Sequence, residues 1–400
     1  MKKRRVKKSI FAVLLALMMA LLTACSTYDN FKNAFFGDGG SMETVKIAFM
    51  LPETGKDASY GVEEKKGVEL AKQLYGTVLG KDIELIYLDT QSSVESIEST
   101  LNTALSYEPA MVLGPYGEAN CLLASQLLEN TKQGAIAISN KNTLITENGT
   151  HYLRMTYVDS KLGGNLALYA LNNLAMRNVM ILTQEDDDTN QELIKSFTKV
   201  IDKRSQKLLK KKHSKNIPNY TKAFYSLDQD NFEEIIQELK IIKTDTVFAP
   251  VPLQVADEFF TEIEENNLTG INFLGTESWA EEDFLAMLAK HPGVKAYVPT
   301  DYSETNTQTE LGKTFLKLYN NKYGEGEPSV EAALAFDAYV LAVQIIEKAR
   351  SANPEQVWIA LKQTEEFDGA TGHIKFNQKG DPTKTYNMNR VIKGELQPLK

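Results

Sequence analysis

The stretch from Met111 to Thr143 carries the groups best placed for chemistry. An apolar run, Met111-Val112-Leu113, stops at Gly114-Pro115-Tyr116-Gly117. Proline cannot continue a central strand, and glycine permits a tight turn. Cys121, Leu122, Leu123, Ala124, Leu127 and Leu128 then recur at helical spacing. A helix beginning after Gly117 presents unpaired N–H groups and a positive dipole end, which suit a carboxylate. Gly134 stops that helix, and Ala135-Ile136-Ala137-Ile138 reads as a second buried strand. It runs into the polar loop Ser139-Asn140-Lys141-Asn142-Thr143. Both loops leave the carboxyl ends of parallel strands, where open α/β sheets take ligands.

Catalysis has no visible carrier. The chain has neither a Gly-x-Ser-x-Gly elbow nor a His-Glu-x-x-His pair. The segment Gly76-Thr77-Val78-Leu79-Gly80-Lys81-Asp82 is one spacer short of a phosphate-binding loop and ends in Asp82 rather than Ser or Thr. His151, His213, His291 and His373 are scattered without metal-ligand spacing. The carboxylates Asp186 to Asp188 predict a helix cap rather than a calcium loop. Gln191 takes the glycine position of such a loop, and Phe197 takes its final glutamate position. No enzyme activity, cofactor or metal is expected.

The elements that must position the loops alternate regularly. Val45 to Leu51 and Ile83 to Leu88 read as strands, and Gly67, Leu70, Ala71 and Leu74 give a helical face between them. His151 to Met155 adds a strand. The alternation restarts after Asp159, with strands at Val179–Leu182, Ala223–Tyr225, Thr246–Ala249 and Ile271–Leu274. Such alternation specifies α/β architecture with parallel sheets flanked by helices. Three helices follow, at Leu311–Tyr323, Ser329–Ala349 and Pro354–Lys362. The middle one is apolar nearly all round and is expected to be buried. A hairpin of His373–Phe376 with Tyr386–Ile392 is expected to close the chain.

The amino terminus has a separate logic. Six basic residues precede the wholly apolar run Ile10–Leu22, too short for a comfortable membrane span but fitting a secretory signal. The run ends Leu22-Thr23-Ala24-Cys25, which resembles a bacterial lipobox. Residues 1–24 are therefore expected to be a signal peptide, and Cys25 a lipidated mature N-terminus. Residues 25–44 are polar, aperiodic and glycine-bearing, and read as a flexible tether. Removing the leader leaves 38 Lys and Arg against 53 Asp and Glu, a net charge of −15, which disfavours nucleic acid as a partner. Cys121 would then be the remaining thiol, buried among apolar neighbours. With no second run of membrane length, the membrane is reached through lipid alone. The basic segment Lys203–Lys215 reads as a solvated helix end and loop.

Several segments, in this order and spacing, carry a family resemblance. They are Val45-Lys46-Ile47-Ala48 leading to Leu51-Pro52-Glu53-Thr54-Gly55, then Tyr60-Gly61, Leu113-Gly114-Pro115-Tyr116, and Ile138-Ser139 with Thr143. Leu274-Gly275-Thr276-Glu277-Ser278-Trp279 and the run from Phe367 to Phe376 complete the set. The chain resembles the type I periplasmic binding proteins, specifically the branched-chain amino acid receptor family of ABC transporters.

The resemblance implies two Rossmann-like lobes joined by three crossings, near Asp159, Pro299 and Asp381-Pro382, with the ligand cleft between them. Lobe 1 would comprise 45–160 and 300–382, and lobe 2 161–299 and 383–400. It implies an extracytoplasmic, lipid-anchored receptor in the bacterial cell envelope that hands an amino acid or similar small polar solute to a permease. Thr143 matches the family's hydroxyl donor to the ligand carboxylate, Glu277 its ammonium acceptor, and Tyr60 an aromatic at the cleft edge. Tyr116, Gly117, Glu118, Ser139 and Trp279 complete the expected site. The sequence departs from the family where serines often follow the Gly-Pro-Tyr turn: here stand Gly117, Glu118 and Ala119. Lys141-Asn142 replaces small residues before Thr143, and acids replace Tyr-Gly after Val179–Leu182. The carboxylates at Glu118 and Glu277, with Asp186 to Asp188 as further candidates at the cleft mouth, suggest a polar or cationic ligand rather than a purely aliphatic one. The same fold also serves lipoproteins that act as sensors or protein-interaction modules, such as cell-wall synthase activators, without transport.

Overall fold

In the computed structural model, the apolar runs form two separate sheets. The structure describes residues 44–147, 151–185, 190–211, 216–226, 232–303, 309–324, 326–384 and 386–399. The leader 1–24, Cys25, the tether up to residue 43 and Asp186 to Asp188 lie outside the described residues.

The first sheet has the order β2-β3-β1-β4-β5-β6. Strands β1 (Thr44–Leu51), β4 (Met111–Leu113), β5 (Ala135–Ala137) and β6 (Tyr152–Arg154) run parallel. The short β2 (Thr77–Val78) turns back antiparallel on β3 (Lys81–Asp89). Helices α1 (Ala58–Leu74), α2 (Ile97–Ser106) and α3 (Glu118–Leu128) make the connections. Strands β4 and β5 are buried at every residue, which is why they appear as unbroken apolar runs. Cys121 is fully buried in the core between this sheet and its helices.

The second sheet has the order β16-β15-β11-β10-β9-β7-β8, where β15 is Asn387–Ile392 and β16 is Glu395–Pro398. Its parallel strands are β7 (Asn178–Thr183), β8 (Asn219–Phe224), β9 (Thr246–Phe248), β10 (Asn272–Leu274) and β11 (Lys295–Thr300). They alternate with α4 (Asp159–Asn173), α5 (Gln191–Lys210), α6 (Phe232–Ile242), α7 (Leu253–Glu265) and α8 (Glu282–Leu288). Helix α5 absorbs the start of the basic segment, its lysines lying on an exposed last turn. The two sheets are the centres of two lobes.

The chain then returns to the first lobe through α9 (Glu310–Tyr323), α10 (Val330–Ala349) and α11 (Pro354–Lys362). Helix α10 is buried along nearly its whole length, as its composition predicts, and Ser329 caps it by accepting from the Ala332 N–H at 3.1 Å. It lies so close to α1 that a Cβ on Gly67 would stand 2.0 Å from the Ala332 carbonyl oxygen.

The expected closing hairpin does not form. Strand β13 (Gly372–Phe376) pairs instead with β12 (Glu366–Gly369) and β14 (Pro382–Thr383) in a small third sheet. Strand β15 (Asn387–Ile392) belongs to the second sheet, antiparallel to β11 and to β16 (Glu395–Pro398). One near contact and one distant one account for this. Asn377 closes the turn before β14, accepting from Asp381 N–H at 3.0 Å, while Arg154 N–H holds the Gly380 carbonyl at 3.1 Å. The return strand is thus consumed before the chain crosses to the other lobe.

The three crossings lie between β6 and α4, between β11 and α9, and between β14 and β15, and one buried cluster ties them together. Thr156 of the first donates its hydroxyl to Asp301 of the second. The ammonium of Lys384, in the third, stands 2.8 Å from Asp301 Oδ1, with side-chain exposures of 0% and 2%. Lys384 also donates to the Met155 carbonyl at 3.3 Å and the Thr371 hydroxyl at 3.0 Å.

Helix α1 carries an exception to its apolar face. Glu64 is fully buried, and neither carboxyl oxygen has a hydrogen-bond partner among the described residues. Burial pushes its pKa well above the ordinary glutamate value, and Glu331 nearby adds to the rise. A carboxyl whose folded pKa is raised contributes stability that is present below its unfolded pKa and lost as pH rises through the folded one. Glu64→Met is therefore expected to stabilise the chain by about 1–3 kcal/mol at pH 8 and by less near pH 4. Urea unfolding across that range checks it; parallel stability curves for the two proteins would count against it.

Candidate functional site

Each sheet reverses its strand order once. In the first, β1 has β3 on one side and β4 on the other, so the loops after β1 and β4 part company; in the second, the same happens between β7 and β9. Crevices at such switch points are where open α/β sheets hold ligands. A cleft of about 1360 Å³ lies there, lined from both lobes.

On the first lobe the turn after β4 is built by glycine. Gly114 has φ +84° and passes so near β1 that a Cβ would lie 2.2 Å from the Met50 carbonyl oxygen. Tyr152 donates its hydroxyl to the Gly114 carbonyl at 3.2 Å, and Asn120 donates its amide to the Tyr116 carbonyl at 3.0 Å. Tyr116 is thereby presented to the cleft, where its ring stacks on Tyr60 from the start of α1, centroids 4.9 Å apart and planes at 15°. Burial raises the pKa of both phenols, so they remain neutral hydrogen-bonding groups.

Gly117, Glu118, Ser139, Asn140 and Lys141 continue the wall. Glu118, in the first turn of α3, reaches across to the loop after β5. Its two oxygens accept from the backbone N–H groups of Lys141 at 2.6 Å and Asn142 at 2.9 Å. Asn140 donates to the Gly117 carbonyl at 3.0 Å, which fixes its amide orientation. Its Oδ1 is then buried without a partner among the described residues, although Asn140 lines the cleft. Arg154, fully buried, holds this loop from behind. It donates to the carbonyls of Asn140 at 3.0 Å and Asn142 at 2.8 Å, and pairs with Asp381 at 3.0 Å.

On the second lobe the turn after β10 supplies Thr276, Glu277, Ser278 and Glu281. Glu277 Oε2 pairs with the Lys141 ammonium at 3.2 Å, directly across the cleft. Its Oε1 is buried and has no hydrogen-bond partner among the described residues. From α10, Glu331 completes the group, and burial raises its pKa and that of Glu281, with Lys141 opposing in both. Among the described residues, ten carboxylate side chains and three lysines line the cleft, so their field favours cations.

Two expected site residues stand elsewhere. Trp279 is fully buried in the second lobe, stacked on Phe284 at 4.9 Å and edge-on to Phe260 at 5.5 Å. The 3-10 turn Glu277–Ala280 sends Glu277 toward the cleft and Trp279 into the core. Thr143 does not line the cleft either. Asn142 caps a short 3-10 helix, Thr143–Thr146, accepting from the Leu144 N–H, and the chain turns away at that point. Sequence reasoning passed over Asn140, Lys141, Glu281, Glu331 and Asp301. Lys141 alone left a signal, as a long cation in the polar loop Ser139–Thr143 that follows a buried strand.

A sequence model of the periplasmic binding protein family matches residues 44–395. The chain belongs to that family. No curated protein matches this periplasmic binding protein. Among solved structures it is similar to a leucine binding protein, LivK, from Thermotoga maritima, at 22% identity and TM-score 0.72, covering 89% of this chain and 98% of that one. It is also similar to the branched-chain amino acid transporter substrate binding protein LivJ from Streptococcus pneumoniae, in complex with isoleucine, at 23% identity and TM-score 0.68, covering 89% and 99%. A solute binding protein of an ABC transporter from R. palustris, in complex with benzoate, follows at 17% identity and TM-score 0.67, covering 89% and 95%. At these identities the likeness establishes the two-lobed fold.

Proposed function

We propose that this chain is the lipid-anchored receptor of an ABC importer, capturing an amino acid or related small polar solute between its lobes and passing it to a permease. The observation that carries the reading is Glu277: one oxygen is paired across the cleft, and the other is buried without a hydrogen-bond partner among the described residues, at the wall of an open cavity. A buried carboxylate oxygen gains most from an N–H donor, and an ammonium is the strongest that a small solute offers. The open cavity supports a receptor over an interaction module whose cleft is filled by its own side chains. The leucine and isoleucine named for LivK and LivJ, and the benzoate of the third relative, support a solute of similar size. Thermal unfolding with a panel of amino acids, amides, amines and aromatic acids tests the reading. A true ligand at about 100 times its Kd adds roughly 2.7 kcal/mol to stability. A panel without a single stabilising member counts against it.

The anchor rests on Leu22-Thr23-Ala24-Cys25 behind an apolar run. Among the described residues no helix is long and apolar enough to cross a membrane. Cys25→Ser is expected to move the protein from the membrane fraction to the soluble one. Unchanged fractionation, with an unmodified N-terminal peptide in the wild type, would contradict the anchor.

A further inference from the structure

An α-amino acid brings a carboxylate and an ammonium, and each must be paired on leaving water. A cleft for such a zwitterion must therefore offer donors to the carboxylate. The loop after β5 offers two backbone N–H groups at the cleft wall, those of Lys141 and Asn142, and Glu118 of this chain already takes both. The Lys141 ammonium, the cation nearest Glu277, is itself spent on that carboxylate. What the wall holds in reserve is of the opposite kind. Asn140 is 2% exposed, and its Oδ1 is a buried acceptor with no partner among the described residues; Glu277 Oε1 is a second. The stacked Tyr60 and Tyr116 rings add an aromatic surface, which attracts cations. The carboxylate excess of the lining has the same sign.

We propose that the cleft takes an organic amine without a carboxylate, a cation presenting N–H donors to Asn140 and Glu277, in preference to the amino acid from which that amine differs by loss of CO₂. The proposal rests on the receptor reading and narrows the solute class of the same site. Glu118 acts as a built-in occupant of the carboxylate position, so an incoming carboxylate meets an acceptor where it needs a donor. Rejection follows from charge repulsion by Glu118, which stands in the first turn of α3 beside that helix's own N–H groups, and from its hold on the Lys141 and Asn142 N–H groups.

The test uses matched pairs by titration calorimetry on the mature chain: 3-methylbutylamine against leucine, and 1,5-diaminopentane against lysine. In at least one pair the amine is expected to bind tenfold or more tightly than its amino acid. Glu118→Ala, which frees the two N–H groups, is expected to raise affinity for the amino acid of that pair at least tenfold and so narrow the gap. Tighter binding of both amino acids by the wild type overturns the inference and leaves the receptor reading standing, as does a gap that Glu118→Ala leaves unchanged. Silence toward all four probes overturns the amine assignment. Silence across the wider solute panel overturns the receptor reading with it.

Discussion

Replacing Asp301 with alanine is expected to cost the folded chain about 3–5 kcal/mol. The substitution leaves the Lys384 ammonium fully buried without its paired carboxylate, holding the Met155 carbonyl and the Thr371 hydroxyl, with Asp337 beyond that hydroxyl as a more distant carboxyl. It also frees Thr156, so a cluster drawn from all three crossings loses its centre. The cost arises from an uncompensated charge rather than from the intrinsic strength of an ion pair. Removing both charges together, as Asp301→Leu with Lys384→Met, is therefore expected to recover most of the loss. Urea unfolding of the two singles and the double measures the coupling. An Asp301→Ala cost below about 1 kcal/mol, within the range of an exposed pair, would contradict this account of the crossings.

Glu277→Gln is expected to weaken solute binding by about 2–5 kcal/mol, roughly 30-fold to several thousand-fold. Glutamine keeps the shape of the side chain and one carbonyl acceptor but removes the charge that an incoming ammonium must meet. Folding should change by less than about 1 kcal/mol, because the Lys141–Glu277 pair is partly solvated and the lysine has Glu281 and Glu331 near it. The expected result is thus a large loss of affinity on an intact fold. Affinity within about twofold of wild type, roughly 0.4 kcal/mol, would falsify the assignment of Glu277 to the ligand.

The sequence made the central strands legible because parallel strands covered on both faces appear as plain apolar runs, as at Met111–Leu113 and Ala135–Ala137. It made the cleft rim legible for a related reason: glycine and proline mark where those runs end, so Tyr116, Gly117, Glu118 and Ser139 could be placed at the carboxyl ends of strands. Strand β15 was not legible, since its partner β11 lies far away in sequence and nothing local distinguishes that pairing from a hairpin. Trp279 misled because two residues of one 3-10 turn face opposite ways, which a residue pattern does not encode. Lys141, Asp301 and Lys384 act across lobes or crossings, and the contacts that give them meaning join distant segments. Glu64 is the converse case: its position on a helical face is plain, while its lack of a hydrogen-bond partner among the described residues is a property of the packed interior.

The central claim is that one solute is held between both lobes. Amide hydrogen exchange, with and without the most stabilising member of the solute panel, tests it most directly, because the two rims are separate peptides. The account predicts added protection at residues 139–142 and at residues 276–281 together, saturating at one equivalent of solute. Protection at one rim alone, or at neither when the solute is saturating, would contradict it.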